Sequence, residues 1–183
     1  MKHQLIPFGK PLTCIAISLL LFLSACQNSV DTPSLACPEM KMTTAIEGRS
    51  RPMNLSNSII FRKAEDNEGG EKFFSMEAIS DTFRIVLNLT DRAPDATSLK
   101  NDSLRLDTFF YSRTGPVKGG LVAAAIIDNT GNYNPVVTDT SYIIIKKVNT
   151  RTQTISGNFF FMADNLGISG EGAFENACYV SLQ

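Results

Sequence analysis

Short runs of apolar residues, several of them alternating with polar ones, recur along the chain from residue 39 to residue 183. The clearest is residues 82–89, in which positions 83, 85, 87 and 89 are apolar and positions 84 and 88 are polar. A period of two puts the apolar side chains on one face of an extended strand, so this run predicts a half-buried β-strand. Further β-branched and aromatic runs, bounded by Gly, Pro, Asn and Asp, predict more strands: residues 40–46, 58–62, 72–79, 104–112, 121–127, 141–148, 153–163 and 168–182.

The succession of these runs predicts an all-β domain. Eight or nine strands follow one another through short polar turns, and no amphipathic helix stands between them to carry a crossover between parallel strands. The sequence therefore predicts an antiparallel sandwich or an up-and-down barrel over residues 39–183, and both architectures stay open. Gly170 and Gly172 predict a bulge or sharp bend in the last run. The adjacent phenylalanines at 73–74 and 159–161 are interpreted as core on both faces.

The first 25 residues follow a different pattern. Lys2 and Lys10 supply positive charge without any acid, and residues 12–23 are almost wholly apolar. Such a run of about 12 residues has the length of a signal-peptide core and is too short to cross a bilayer comfortably as a helix. Leu23-Ser24-Ala25-Cys26 follows, with small residues in front of a cysteine. Residues 1–25 are therefore predicted to be a cleaved signal peptide.

This ending resembles the lipobox of bacterial lipoproteins, in which the cysteine is acylated and becomes the mature N-terminus. The resemblance implies that Cys26 is lipidated and anchors the protein in a membrane, since each buried acyl methylene contributes about 0.8 kcal/mol. Gln27 stands where an Asp would indicate retention in the inner membrane, so the resemblance favours the outer membrane and leaves the leaflet open. Residues 26–38 are rich in Ser, Pro, Asn and Asp and are predicted to form a tether.

Three runs near the C-terminus form a set: an apolar strand at 140–148, an I-S-G-x-F-x-F run at 155–161, and a glycine-rich run at 167–174 that ends in Gly-Ala-Phe. This set resembles a family of small secreted bacterial lipoproteins known only as a domain of unknown function. The resemblance implies an all-β lipoprotein. It carries over neither an activity nor catalytic residues.

Two cysteines remain once the leader and the lipidated residue are set aside. Cys37 and Cys178 stand at the two ends of the predicted domain, in a compartment that allows disulfides. Pairing them would close almost the whole domain into one loop and would require the first and last strands to lie side by side. The sequence favours this disulfide. The alternative is two separate thiols, with Cys178 as a small buried apolar residue.

Composition narrows the chemistry open to the chain. It has 17 basic and 18 acidic residues, no tryptophan and a single histidine, His3, which lies in the predicted leader. Without histidine the mature chain cannot form a Ser-His-Asp triad, and two cysteines are too few for a structural zinc site, so neither a metal nor a cofactor is expected. The slight acidic excess argues against a nucleic-acid partner. We therefore expect a protein that binds or assembles rather than an enzyme.

Paired carboxylates offer the one catalytic alternative, because a glycosidase needs no histidine. Nothing in the spacing of the available acids selects a pair: Glu77, Asp81, Asp107, Asp139, Glu171 and Glu175. The acidic residues at 65–71 lack the ligand order of a calcium loop and are interpreted as a solvated hairpin tip. The polar residues at 128–132 are interpreted as a turn.

A glycan or a protein of the cell envelope is the expected ligand. Sugar-binding surfaces combine an aromatic platform with amide and acid groups, and without tryptophan that platform falls to tyrosine. Tyr133 is the candidate, because Asn132 and Asn134 flank it in a polar stretch predicted to be a loop. Tyr142 and Tyr179 lie on predicted strands, as core or rim residues whose hydroxyl groups reach water. A carrier or inhibitor that encloses a small apolar ligand in a barrel is the alternative from another class.

Overall fold

The computed structural model describes residues 37, 39–64, 70–93, 99–115, 119–163 and 167–182. The described strands are β1 Lys41–Ile46, β2 Arg49–Ser50, β3 Asn54–Ala64, β4 Gly70–Ile79, β5 Phe83–Ala93, β6 Thr108–Ser112, β7 Gly120–Ile127, β8 Tyr133–Val136, β9 Thr140–Asn149, β10 Thr154–Ala163, β11 Ile168–Cys178 and β12 Val180–Leu182. The described part of the chain contains no helix that is long and apolar enough to span a bilayer. The predicted signal peptide, Cys26 and residues 65–69 of the acidic turn lie outside the described residues, as does the tether apart from Cys37.

The strands form two sheets of six that face each other. Sheet A has the order β2-β1-β11-β10-β9-β6, and sheet B has the order β12-β3-β4-β5-β7-β8. Each sheet is open, with different strands at its two edges, and the apolar faces of both sheets meet in one core. The all-β prediction is confirmed, and the sandwich is the predicted architecture that forms.

Eight or nine strands are too few for this fold. Each of the nine predicted runs overlaps a strand, but the described residues also form two short strands at sheet edges, β2 and β8. β8 contains Pro135, which lacks an N–H group and is tolerated because β8 lies at the edge of sheet B. The last predicted run divides at Tyr179, where the chain passes from β11 in sheet A to β12 in sheet B.

The prediction of wholly antiparallel sheets is also wrong at one edge. Val180 and Leu182 of β12 pair in parallel with Ile59 and Phe61 of β3, whereas the other strand pairs are antiparallel. A parallel neighbour within one sheet ordinarily requires a long crossover. Here the chain reaches β3 by changing sheets at Tyr179, so no helix is needed.

Along the strands, buried side chains alternate with outward-facing ones, and the buried side chains fill the space between the sheets. In β4 every second side chain is buried, and the ring of Phe74 stacks on that of Phe174 from the opposite sheet, with centroids 6.4 Å apart. Phe159 and Phe161 are buried as well. Phe73 and Phe160 lie instead on the outer faces and are half-buried, so the prediction that all the adjacent phenylalanines belong to the core is wrong for these two.

The two ends of the domain meet as the cysteines predict. Cys37 and Cys178 are joined by a disulfide, with their Cα atoms 5.7 Å apart. β1 and β11 are antiparallel neighbours in sheet A, from Lys41 opposite Glu175 to Ile46 opposite Gly170. The predicted pairing and the predicted contact between the first and last long strands are therefore both present.

Hydrogen bonds between the two sheets close one corner of the sandwich. The hydroxyl of Ser141, on β9, donates to the carbonyl oxygen of Gly120 at 2.9 Å and accepts from the N–H of Val122 at 3.0 Å, both on β7. The hydroxyl of Thr138 donates to the carbonyl oxygen of Val122 at 2.7 Å. All three bonds are buried, where an unmade hydrogen bond is expensive, so they hold β7 in register against β9.

Candidate ligand-binding face

Three aromatic side chains form a row across the outer face of sheet A. Phe110 on β6 lies directly opposite Tyr142 on β9, and Tyr142 lies directly opposite Phe160 on β10. The rings of Tyr142 and Phe160 stack, with centroids 5.3 Å apart and planes 20° from parallel. Because adjacent strands are about 4.8 Å apart, the row extends about 10 Å across the sheet. We name these three residues the aromatic row.

The row faces outward because of the phase of each strand. Phe109, Ile143 and Phe159 precede or follow the row residues in the chain and are buried in the core, so the row residues must point away from it. Phe110 is 42 % exposed, and Tyr142 and Phe160 are half-buried. The row thus presents aromatic surface to solvent, from the edge strand β6 to the interior strand β10 of sheet A.

Polar groups continue the face beside the row. Glu171 lies opposite Phe160 on the neighbouring strand, and Asn158 lies one step along β10 on the same face. Ala45 and Ala173 are small, and they leave a depression of about 450 Å³ between the taller side chains. The residues lining the depression are Thr43, Thr44, Ala45, Ser50, Tyr142, Ile144, Asn158, Phe159, Glu171, Gly172 and Ala173.

Two glycines on the inner side of β11 support this face. A Cβ atom at Gly172 would lie 2.6 Å from the ring of Phe159, and one at Gly170 would lie 2.3 Å from the ring of Phe161. The glycines therefore make room for buried rings, and β11 keeps a regular register there, so the bulge predicted for this run does not lie at Gly170 and Gly172. It lies farther along β11, where three steps from Phe174 to Ala177 oppose two steps of β10 from Gly157 to Ile155.

This arrangement has the chemistry of a binding surface. Ligand sites combine apolar and aromatic walls with a few polar groups that fix the orientation of the ligand. Here the stacked rings provide an apolar ridge, the amide of Asn158 offers both a donor and an acceptor, and the carboxylate of Glu171 offers two acceptor oxygens. A molecule with apolar faces and hydroxyl groups around its rim matches both features.

Tyr133 has a different setting from the one predicted. It begins the edge strand β8, on the outer face of sheet B, and is 44 % exposed. The guanidinium of Arg84 lies 5.0 Å from the centre of its ring and also forms an ion pair with Glu77. Tyr133 therefore already contacts a cation of its own chain, and it lies on the opposite sheet from the aromatic row.

The side chains of Asn132 and Asn134 form hydrogen bonds within the β7–β8 turn. The amide of Asn132 donates to the hydroxyl of Thr130 at 2.7 Å, and the amide of Asn134 donates to the carboxylate of Asp128 at 3.3 Å. Hydrogen bonds from the Thr130 side chain and from the backbone of Asn132 and Thr130 lower the pKa of Asp128 to about 2. These groups organise a turn, in agreement with the interpretation of residues 128–132.

Four of the six carboxylates considered for catalysis are paired with cations or separated from each other. Asp139 forms an ion pair with Arg113, as Glu77 does with Arg84. Glu171 and Glu175 share a strand but lie four residues apart, which corresponds to about 13 Å along it. Among the described residues there is also no group of three or more His, Cys, Asp or Glu side chains that could hold a metal ion.

A buried polar cluster lies at one end of the core. Lys72 is buried on the inner face of β4 and donates to the carbonyl oxygen of Ser103. Burial lowers the pKa of Lys72, although the carboxylates of Asp91 and Asp102 oppose this change. Arg62 lies 3.2 Å from a carboxylate oxygen of Asp102. The sequence pattern does not reveal this cluster, because Lys72 stands at the start of a run predicted as an ordinary strand.

Tyr179 lies beside this cluster and is only 2 % exposed. Its hydroxyl is buried and has no hydrogen-bond partner among the described residues, so the prediction that this hydroxyl reaches water is wrong. Burial raises the pKa of Tyr179 to about 12, and the charge of Asp102 acts in the same direction. The neutral phenol is therefore strongly favoured in the folded protein.

A Tyr179→Phe variant tests this assignment through the pH dependence of stability. The folded state keeps a proton that the unfolded chain releases near pH 10, so the free energy of unfolding should fall as pH rises from about 10 to about 12, by at most about 3 kcal/mol. The variant should not show this decline. Near neutral pH the substitution should change the free energy of unfolding little, because the missing hydroxyl made no hydrogen bond. Urea unfolding at both pH values measures the difference, and an identical decline in wild type and variant would contradict the assignment.

In comparisons with known proteins, no protein-family model, curated protein or solved structure matches the chain. The resemblance to small bacterial lipoproteins accordingly stays a prediction from the sequence. Cys26, on which the predicted anchor depends, lies outside the described residues.

Proposed function

We propose that this chain is a lipid-anchored glycan-binding module of the bacterial cell envelope. The observation that carries the proposal is the aromatic row, which lies on a solvent-facing sheet beside Asn158 and Glu171. Pyranose rings have apolar C–H faces and hydroxyl groups at their edges. The faces would pack against the exposed parts of the rings of Tyr142 and Phe160, and the hydroxyl groups would pair with the amide and the carboxylate.

The predicted signal peptide and the resemblance to a lipobox suggest the location in this proposal. Lipidation of Cys26 would hold the domain at the outer membrane, within reach of envelope polysaccharides. A protein of the envelope is the second candidate partner. It has less support, because the face presents a small depression bordered by polar groups rather than a broad apolar area.

The carrier and the glycosidase have less support from the described residues. A carrier of the predicted kind needs a barrel interior, whereas the space between these two sheets is occupied by a packed core. A glycosidase needs two carboxyl groups about 5–10 Å apart. Glu171 and Glu175, which share the outer face of β11, are farther apart than this. Recognition without catalysis is therefore the function that we propose.

A glycan array probed with the full-length lipoprotein in detergent tests the proposal. We expect binding to at least one polysaccharide of the bacterial envelope. Tyr142→Ala and Phe160→Ala should each weaken it by about two- to tenfold, because an aromatic contact contributes about 0.5–1.5 kcal/mol. Asn158→Ala should weaken binding through the lost hydrogen bonds.

Tyr133→Ala is the matched control. It removes a half-exposed tyrosine from the other sheet and should leave the affinity unchanged. Thermal unfolding of each variant separates a loss of contact from a loss of folding. Binding that survives in a Tyr142→Ala, Phe160→Ala double variant and disappears in Tyr133→Ala would move the site to the β7–β8 turn. A wild-type protein that binds no glycan would refute the proposal.

A further inference from the structure

A second apolar surface lies on the outer face of sheet B. Phe61 of β3 lies opposite Phe73 of β4, with ring centroids 6.2 Å apart. On the other side of β3, Val180 and Leu182 of β12 lie opposite Ile59 and Phe61. Residues that are directly paired share a face of the sheet, so all five side chains point outward together. We name these five residues the β12 patch.

The β12 patch is open to solvent. Phe61 is 37 % exposed, Val180 is 40 % exposed and Leu182 is 43 % exposed, while Ile59 and Phe73 are half-buried. This exposure is concentrated at one edge of the sheet, because β12 is its outermost strand.

The next row along the strands is charged. Lys63 lies opposite Glu71, which lies opposite Arg92, so the row carries two cations and one anion. The side chain of Arg92 is 86 % exposed and that of Glu71 is 23 % exposed. An apolar patch beside the exposed side chains of Lys63 and Arg92 fits the interfacial region of a lipid bilayer, where long cationic side chains extend to the headgroups.

The predicted tether enters the domain next to this patch. Cys37 is held by its disulfide 5.7 Å from the Cα atom of Cys178, and Val180 follows two residues later. Two residues span at most about 7 Å, so Cys37 lies within about 13 Å of Val180. Cys26 precedes Cys37 by eleven residues. That length reaches at most about 40 Å when extended and about 20 Å as a flexible coil.

We propose that the β12 patch rests on the lipid bilayer that anchors the chain. The inference depends on the lipid anchor of the proposed function, because the anchor keeps the patch at a high effective concentration near the membrane. A weak contact then suffices to orient the domain. The aromatic row, on the outer face of the opposite sheet, would point away from the membrane and toward polysaccharide.

The patch is better suited to lipid than to a second copy of the chain. A stable protein interface covers about 800 Å² on each partner, which is far more than the partly exposed side chains of Phe61, Val180 and Leu182 provide. Insertion of a few apolar side chains into a bilayer interface needs no matching surface on a partner.

The absence of tryptophan allows a direct test. Phe61→Trp places one fluorophore in the patch, and Phe110→Trp places one on the opposite face. Each full-length, lipidated protein is reconstituted into anionic vesicles with brominated lipids. Fluorescence from the Phe61→Trp variant should shift to the blue and lose most of its intensity relative to vesicles without bromine. Fluorescence from the Phe110→Trp variant should change little.

Sedimentation with the vesicles separates failure of docking from failure of the anchor. If the Phe61→Trp protein sediments with vesicles but keeps its fluorescence, the anchor stands and docking is wrong. If fluorescence is shielded both from brominated lipid and from acrylamide in the water, a second copy covers the patch and docking is again wrong. If wild type sediments no better than a Cys26→Ser variant, both the anchor and the docking are refuted.

Discussion

Loss of the Cys37–Cys178 disulfide should lower the free energy of unfolding by as much as about 5 kcal/mol. The two cysteines are 141 residues apart in the chain, so the bond closes nearly the whole domain into one loop. In the chain-entropy model, a loop of that length removes much of the conformational freedom of the unfolded chain. The value is an upper limit for a bond formed without strain. A loss of this size approaches the total stability of many single domains.

A Cys37→Ala, Cys178→Ala double variant provides the measurement, by urea unfolding, and avoids leaving a single reactive thiol. Wild type treated with a thiol reductant is the matched control and should unfold at about the same urea concentration as the double variant. The double variant itself should not respond to reductant. If wild type has the same midpoint with and without reductant, the disulfide does not stabilise the domain and the prediction is refuted.

Gly120→Ala should destabilise the domain by more than about 3 kcal/mol, the range of severe backbone clashes and overpacked cores. A Cβ atom at this position would lie 2.1 Å from the carbonyl oxygen of Phe109 and 2.3 Å from its carbonyl carbon. Both atoms belong to backbone, so no side-chain rotation can relieve the contact. β7 would have to move away from β6, and the buried bond from Ser141 to the carbonyl of Gly120 would lengthen or break.

Gly131→Ala is the matched control for this clash. Gly131 has a φ of +83°, and a Cβ atom there would have no neighbour within 4 Å. That substitution should cost only the strain of a left-handed backbone, about 1–2 kcal/mol. Chemical unfolding of the two variants compares the effects directly. Equal losses of stability would show that β6 and β7 do not approach each other as closely as described.

Part of the aromatic row could be predicted from the sequence. Runs such as Ile143-Ile144-Ile145 and Phe159-Phe160-Phe161 are apolar at every position, so they conceal which residues face outward. The polar neighbours two positions away do carry a signal. Asn158 shares the phase of Phe160, so the outward face of β10 could be inferred in this way. On β9 the signal is ambiguous, because Thr140 shares the phase of Tyr142 but the buried Ser141 shares that of Ile143. The alignment of the three rings across β6, β9 and β10 could not be inferred.

At Tyr133 the sequence predicts the local turn but not the tertiary contact of the side chain. Its flanking asparagines predict an accessible polar loop, and the chain does turn there. The contact with Arg84 depends on the pairing of β5 with β7 and of β7 with β8, which brings residues 49 positions apart together. Turn chemistry is local and can be inferred from neighbouring residues. Which residues a side chain contacts depends on which strand lies beside its own strand.

The sequence by itself determined the all-β class and the approximate positions of the nine longer strands, and it favoured the proximity of the two ends of the domain. Alternation with a period of two and turn residues at strand ends act over a few positions, and a cysteine pair imposes one simple distance. Tertiary structure decided the choice of sandwich, the transfer of the chain between sheets at Tyr179, and the composition of each outer face. These features arise because strand pairing joins residues far apart in the chain, and the register of that pairing sets which side chains become neighbours.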